Sequence, residues 1–383
     1  MSKRKYGQAA AVVALAILLA LLATACGGGS GDSTSSETTK GGEAEGTTST
    51  MAKEQVIAPY VGQPSPFPVT EKLKAVPTGA KFVWAESGTP VDAVFGQLAD
   101  AAGKTMGVDL KRVKVGTSAS SVSSGFDTIV AMKPDAVLVP SLNVELWSKQ
   151  LKQLQEANVP VVTAGVTGAE KYGIVTPQIA ENYSKLSGKL MANYVVAEMN
   201  PKANAAIYEV PELPFTSIMA EEFVAQIEAV CPECSARIVQ IPVATIGNTA
   251  PTAIVSDLQA NPETDVVVFP ADSAQNGLAP ALQEAGIEVE TLGGGPGPEN
   301  LQSVKEGKET DVLAGDLGVM VWSMVDQAAR ELAGQELKGL QAEGLGIDMQ
   351  FLTQRDITFD PSKGWSGYPD FPERFAELWG VQN

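Results

Sequence analysis

From Lys81 onward the chain alternates short apolar runs with helix-length segments, and this alternation restricts the available folds more than any other feature. KFVWA at 81–85, LKRVKV at 110–115, AVLVP at 136–140 and VPVVTA at 159–164 have the length of buried strands. Segments near 91–106, 121–132 and 143–157 read as helices, with breaks at Gly103, Gly107 and the Asn-Val-Pro turn at 158–160. A strand that is apolar along most of its length is covered on both faces, which is the condition of a parallel sheet made from βαβ units.

The pattern then restarts. After YGIVTPQ at 172–178 come a helix near 180–198, ANAAIYEV at 203–210, a helix at 217–230 and ARIVQIPV at 236–243. A helix near 249–260, DVVVFP at 265–270, a helix near 275–285 and IEVETL at 287–292 follow. The last third holds DVLAGD at 311–316, a helix at 318–333, MQFLTQRDI at 349–357 and the aromatic tail GWSGYPDFPERFAELWG, and both the tail and the segment before it can cross between lobes. The fold class expected is α/β, with two doubly wound parallel-sheet lobes and a ligand cleft between them. Neither glycine-rich stretch reads as a nucleotide site. GGGSG at 27–31 has no strand before it, and GGGPGPEN at 293–300 lacks both the dinucleotide spacing and the Lys-Ser/Thr of a phosphate loop. A flexible hinge-side loop near a ligand is the expected use of the latter.

The N-terminus sets the compartment. Lys3, Arg4 and Lys5 precede Ala9 to Ala23, a run of Ala, Val, Leu and Ile only. At about 1.5 Å per residue this run spans about 22 Å, which suits an export signal at 1–25 better than a spanning helix. The following LLATAC at 21–26 resembles the lipobox of bacterial lipoprotein signals, and that resemblance implies a lipid on Cys26 as the first mature residue. Ala23 stands where the motif prefers Leu, and an ordinary signal peptide is the alternative. Residues 26–55 form a tether too poor in apolar side chains to order itself, and 56–80, rich in Pro, form an extended lead-in.

Charge and composition exclude several functions. The 27 basic side chains face 45 acidic ones, and loss of the signal removes three of the former. Such a surface repels nucleic acid and gains little from an anionic bilayer, so membrane attachment is assigned to the lipid. With no histidine and three cysteines, the chain offers no catalytic Ser/His or Cys/His pair and no zinc set, so no metal, no cofactor and no enzymatic activity are expected. Cys231 and Cys234, in CPEC, follow a helix and precede a strand. A structural disulfide is therefore favoured over a thioredoxin-like pair, which needs its first thiol at a helix start.

Three longer phrases carry a family resemblance: AVLVPSLNVELWSKQLKQLQEANVPVVTAG at 136–165, SDLQANPETDVVVFPADSAQNGLAPALQEAG at 256–286 and ENLQSVKEGKETDVLAGD at 299–316. With the order of elements over 81–357, they resemble the type I periplasmic, or solute-binding, protein family of ABC importers in its sugar-binding branch. The resemblance implies crossings near 176–181, 290–318 and 335–350. Lobe 1 then comprises 81–177 plus 317–335, and lobe 2 comprises 178–316 plus 345–383. It implies a monomer outside the cytoplasm that closes over a small-molecule solute and presents it to an ABC permease in the membrane.

Matched to the family's contact positions, the ligand-binding candidates are Trp84, Glu86 and Ser87, Glu212 and Phe215, Asp272 and Asp316, with Trp322 as a further aromatic. The family's Asp-Arg pair is replaced by Ala164 and Gly165, its Asn-Asp by Ala271 and Asp272, and its last Gln falls near Gly315. The solute expected is a sugar or polyol. A cationic or aromatic non-sugar solute is the alternative, because carboxylates over aromatic walls suit both. Structural roles stand beside these: lobe core for Trp84 and Trp322, a staple around Thr216 for Phe215, a helix cap or solvated loop for Asp272, and an N-cap for Asp316. A ligand-sensing role with a membrane receptor is the other functional class. An enzyme on this scaffold would need Glu86 and Asp272 as a carboxylate pair.

Overall fold

The computed structural model describes residues 54–88, 90–174 and 177–381, and it resolves the two runs of strands into two sheets. The signal 1–25, Cys26 and the tether as far as residue 53 lie outside the described residues. The first sheet has the order β2-β1-β3-β4, all parallel, from β1 (Lys81–Glu86), β2 (Asp109–Lys114), β3 (Ala136–Pro140) and β4 (Val161–Ala164). Helices α1 (Pro90–Met106), α2 (Ala119–Ala131) and α3 (Ser148–Glu156) connect them. The second sheet, β10-β9-β8-β7-β5-β6, contains β5 (Asn204–Glu209), β6 (Ser235–Gln240), β7 (Val266–Phe269), β8 (Glu290–Gly294), β9 (Asp311–Gly315) and β10 (Met349–Leu352). Its strands are parallel except β10, which runs antiparallel to β9. Around it lie α4 (Glu181–Tyr194), α5 (Pro214–Val230), α6 (Ala250–Ala260), α7 (Leu278–Ala285) and α8 (Pro298–Lys305).

Each sheet is covered on both faces, as the apolar strands require. In lobe 1, Phe82, Trp84, Leu138 and Val162 face one core, while Val83, Ala85, Val137 and Val139 face another built with Phe126 and Trp147. Alternation along β1 and β3 separates the two sets. The edge strands β2 and β6 are only half-buried and carry Lys111, Arg112, Lys114 and Arg237, charges that discourage pairing with another chain. In lobe 2, α4 and α5 approach so closely that a Cβ on Gly188 would collide with the Met219 carbonyl.

Three of the crossings between the lobes fall within the stretches the resemblance implied, and the segment from β10 to the C-terminal helix adds a fourth. The first passes Gln178, which bridges to Ala164 at the end of β4 before α4 begins. The second is Gly315–Asp316, leading from β9 into α9 (Leu317–Leu332), whose buried face lies in the lobe 1 core. The third returns from α9 to β10, and Ile179 donates its N–H to the Gly344 carbonyl on it at 3.1 Å. Side chains are excluded where these strands touch, since a Cβ on Gly346 would overlap the Gln178 amide and one on Gly344 would lie 2.8 Å from the Pro177 carbonyl.

Three features differ from the reading of the sequence. Residues 345–383 do not all belong to lobe 2: β10 does, but α10 (Phe371–Trp379) packs on α9 and α1, with Trp379 stacked on Trp322 at 5.5 Å between centroids. The amphipathic side of α10 completes a core that α9 alone leaves open. The lead-in 56–80 begins as a helical turn, and residues 54–55, assigned to the tether, are part of it. It then bridges Val61 to Phe351 in lobe 2 and hydrogen-bonds Leu73 to Leu378 in lobe 1. The glycines of GGGPGPEN are not a flexible loop throughout. Gly293 and Gly294 lie in β8, where the lack of a side chain admits Asp272 against one face and the Pro270 carbonyl, 3.0 Å from a Cβ position, against the other.

Cys231 and Cys234 form a disulfide between α5 and β6. Its sequence separation is only 3, for which the chain-entropy contribution is about 2 kcal/mol. Reduction is expected to lower the melting temperature by about 3 °C and leave a cooperative transition. Scanning calorimetry with and without a phosphine reductant checks this, and loss of the transition would assign the bond a larger role.

The interlobe cleft as candidate functional site

The C-terminal ends of both sheets meet the crossings: Gln178 lies beside the end of β4, and β9 runs directly into Asp316. The loops that follow the other strands therefore open toward the space between the lobes, the position at which doubly wound sheets bind ligands. On lobe 1 this edge carries Ser87 and Gly88 after β1, Ser141 and Asn143 after β3, and Gly165 after β4. On lobe 2 it carries Pro211 and Glu212 after β5, the 270–276 turn after β7 and Gly295 after β8.

The sequence candidates divide sharply. Trp84 is wholly buried in the lobe 1 core, its indole N–H 3.4 Å from the Asp92 carboxylate, so it supports the wall and does not face the cleft. Glu86 is also buried, and its Oε2 accepts from Arg112 Nε at 2.9 Å and Nη2 at 2.8 Å. Period-two alternation explains both, because Trp84 and Glu86 share the face of β1 that α1 covers. Ser87 is half-buried, and its N–H donates to Asp92. Glu212 is exposed, with Oε2 accepting from the Val243 N–H at 3.2 Å. Phe215 packs between the two cores of lobe 2. The helix there starts at Pro214, and Thr216 turns its hydroxyl to the Val210 carbonyl at 2.8 Å, so no staple forms around Thr216. Trp322 lies in the lobe 1 core.

Asp272 and Asp316 are both buried carboxyls. Asp272 sits over Gly293 inside lobe 2, bonded to the Gln275 amide. Burial pushes it up to about 7. Glu309 lies close by, tied through Asn300, whose Nδ2 is 3.2 Å from the Asp272 carbonyl and 3.4 Å from Glu309 Oε1. Burial, and then the Asp272 charge, push Glu309 up to about 9. Asp316 caps α9, with Oδ1 accepting from the Val319 N–H at 3.0 Å. Glu86 and Asp272 thus lie within separate lobes, each held by its own partners, and do not form a carboxylate pair.

Ser141 and Asn143, at the same edge of lobe 1, are not among the sequence candidates. Ser141 is exposed and holds a left-handed backbone at φ 52°, uncommon for a non-glycine residue and a frequent mark of functional loops. Asn143 is exposed and caps the following turn through Oδ1, which accepts from the Glu145 N–H at 3.0 Å. Their signal was two polar residues directly after the apolar AVLVP, at the strand end where ligands bind.

A family profile described as "Periplasmic binding protein domain" matches residues 80–336. No curated protein matches the sequence. Among solved structures, GanP, a glucose-galactose binding protein from Geobacillus stearothermophilus, superposes with a TM-score of 0.60 at 17% identity over 73% of this chain and 99% of its own. A periplasmic ribose ABC transporter protein from Conexibacter woesei gives 0.61 at 14% identity over 74% and 94%. The 5-methylthioribose transporter solute binding protein from Thermotoga lettingae gives 0.60 at 14% identity over 80% and 99%. Fold and profile agree: the two-lobed α/β architecture is that of type I periplasmic binding proteins, and the chain belongs to the periplasmic binding protein domain family.

Proposed function

We propose that this protein is an extracytoplasmic solute-binding protein that holds a sugar or polyol between its lobes and delivers it to an ABC importer. The observation that carries this reading is the family fold with both sets of strand ends gathered at narrow, glycine-bearing crossings, which allow one lobe to turn against the other. The names of the structurally similar proteins, which bind glucose and galactose, ribose or 5-methylthioribose, support the solute class. So does the chemistry of the cleft edge. Ser87, Ser141, Asn143 and Glu212 offer hydroxyl, amide and carboxylate groups suited to neutral hydroxyls. Trp84, Glu86, Phe215 and Asp272 hold the walls that present them. The acidic chain acts as a monomer tethered by a lipid on Cys26, and the binding step requires no catalytic group.

A thermal-shift screen over pentoses, hexoses and sugar alcohols tests this directly. A solute bound only by the folded chain adds about 2.7 kcal/mol at one hundred times its dissociation constant. Glu212→Ala is expected to lose most of that shift while keeping the unliganded melting temperature. A response confined to polyamines or amino acids would replace the sugar reading, and silence across all sugars and polyols would remove it. Mass measurement of the mature chain checks the anchor: an unacylated residue 26 excludes it.

A further inference from the structure

The second and third crossings run side by side, with the Asp316 N–H donating to the Asp348 carbonyl at 3.0 Å. Their side chains are treated differently. Asp316 Oδ2 accepts from the Ser366 hydroxyl and, at 3.1 Å, from the Gly367 N–H, so the segment between β10 and α10 is fastened to the hinge as a strap. Asp348 is 0% exposed, and among the described residues neither carboxyl oxygen has a hydrogen-bond partner beyond a local contact with its own backbone N–H. It is pressed against the same strap: a Cβ on Gly367 would collide with Asp348 Oδ2 and lie 2.7 Å from Pro64 Cβ of the lead-in. Both crossings, the strap and the lead-in thus enclose one carboxyl that no neighbouring side chain satisfies among the described residues.

An ionised carboxylate without partners is among the most costly groups to bury, whereas a protonated one is neutral and has a hydrogen to donate. The groups facing Asp348 are Asp316 at the start of α9, Tyr368 on the strap and Arg374 on α10. Burial first, then the Asp316 charge, push Asp348 up to about 8, with Arg374 opposing them. Burial also raises Asp316, against its hydrogen bonds. Arg374 is held elsewhere, its Nε 2.9 Å from Asp370 and its guanidinium 4.5 Å from the Tyr368 ring centroid.

We propose that Asp348 keeps its proton at the hinge beside Asp316, and that its loss in alkaline medium releases the strap and frees the lobes to move apart. The strap joins β10 in lobe 2 to α10 in lobe 1, so while bound it braces the two lobes. Ionised Asp348 repels Asp316 and draws in water, which requires Gly367 and Ser366 to lift. The proton is present below pH about 8 and is lost as pH rises through that value. The inference takes only the meaning of lobe motion from the proposed function, and the acid pair stands without it.

The test uses the full chain without added solute, so that failure to find a sugar does not affect it. Spin labels at Lys152→Cys in lobe 1 and Lys308→Cys in lobe 2, both exposed, report the interlobe distance by pulsed electron resonance from pH 6 to 9.5. The distance distribution is expected to broaden toward longer values above pH about 8. Asp348→Asn, which does not ionise, is expected to keep the narrow distribution throughout. Arg374→Gln, by removing the opposing cation, shifts the transition to higher pH. A wild-type distribution indifferent to pH, or the same pH response in Asp348→Asn, overturns the proposal. Should Asp348→Asn fail to fold, the carbon-13 shift of the Asp348 carboxyl in the wild type decides, and a midpoint in the ordinary carboxylate range overturns it.

Discussion

Asp326→Ala is expected to lower the unfolding free energy by about 3–5 kcal/mol, the range for leaving one member of a buried ion pair alone. Asp326 and Arg330 lie one turn apart on α9 and are almost fully buried, with Oδ2 2.6 Å from Arg330 Nε. The aspartate also accepts from Trp379 Nε1 on α10 at 2.8 Å and from Gln341 Nε2 on the third crossing at 2.8 Å. Arg330 Nη2 reaches the Glu71 carbonyl of the lead-in. One carboxylate therefore fastens α9, the C-terminal helix, a crossing and, through Arg330, the N-terminal arm. Truncation leaves a guanidinium buried without its counter-charge and an indole N–H unpaired. Urea denaturation measures the loss, and a change below about 1 kcal/mol would show that water reaches Arg330. The double variant Asp326→Leu with Arg330→Met should recover part of the stability, because it removes the uncompensated charge while the Trp379 indole N–H stays unpaired.

The second large effect is on pH. Asp272, Glu309 and Asp348 are all raised, to about 7, 9 and 8 from ordinary values of 3.8, 4.5 and 3.8. Across the interval from about pH 4.5 to 8 the folded chain therefore holds protons that the unfolded chain has released. The stability these groups contribute is complete at acid pH and declines as pH rises. The slope is about 1.4 kcal/mol per pH unit for each proton so held. Unfolding free energy is expected to be higher at pH 5 than at pH 8, although most proteins lose stability toward acid. Glu309→Gln replaces a carboxyl with an amide that never ionises, and should flatten the profile by about one proton. Melts at pH 5, 6.5 and 8 decide it, and a rising or level wild-type profile would mean that ordered water or a cation satisfies these carboxylates.

How far the sequence could be read depended on whether a signal was local. Strand after strand in the parallel sheets was visible, since burial on both faces demands unbroken apolar runs such as AVLVP and DVVVFP. The Asp316 cap was legible for the same reason, as an N-cap acts within its own first turn. Candidate site residues were harder. Trp84 and Glu86 follow one another at period two, and only the placement of α1 shows that their common face is the inside of the lobe. Strand β8 was assigned too early because Ile287 and Val289 are apolar, although they pack on the lobe 2 core ahead of a strand that ends in glycines.

By itself the sequence determined the two-lobed α/β class, the family and the absence of a nucleotide fingerprint, because periodicity, strand length and phosphate-loop spacing are properties of consecutive residues. Tertiary structure decided what no short window contains. It placed the aromatic tail on the first lobe, where Trp379 completes the Trp322 core, and it brought Asp348 beside Asp316 across 32 positions of chain. Such meetings depend on how separate segments pack around a shared core. Burial then alters the chemistry: an aspartate that would be an ordinary ionised carboxylate in water becomes, between two crossings and a strap, a group that keeps its proton.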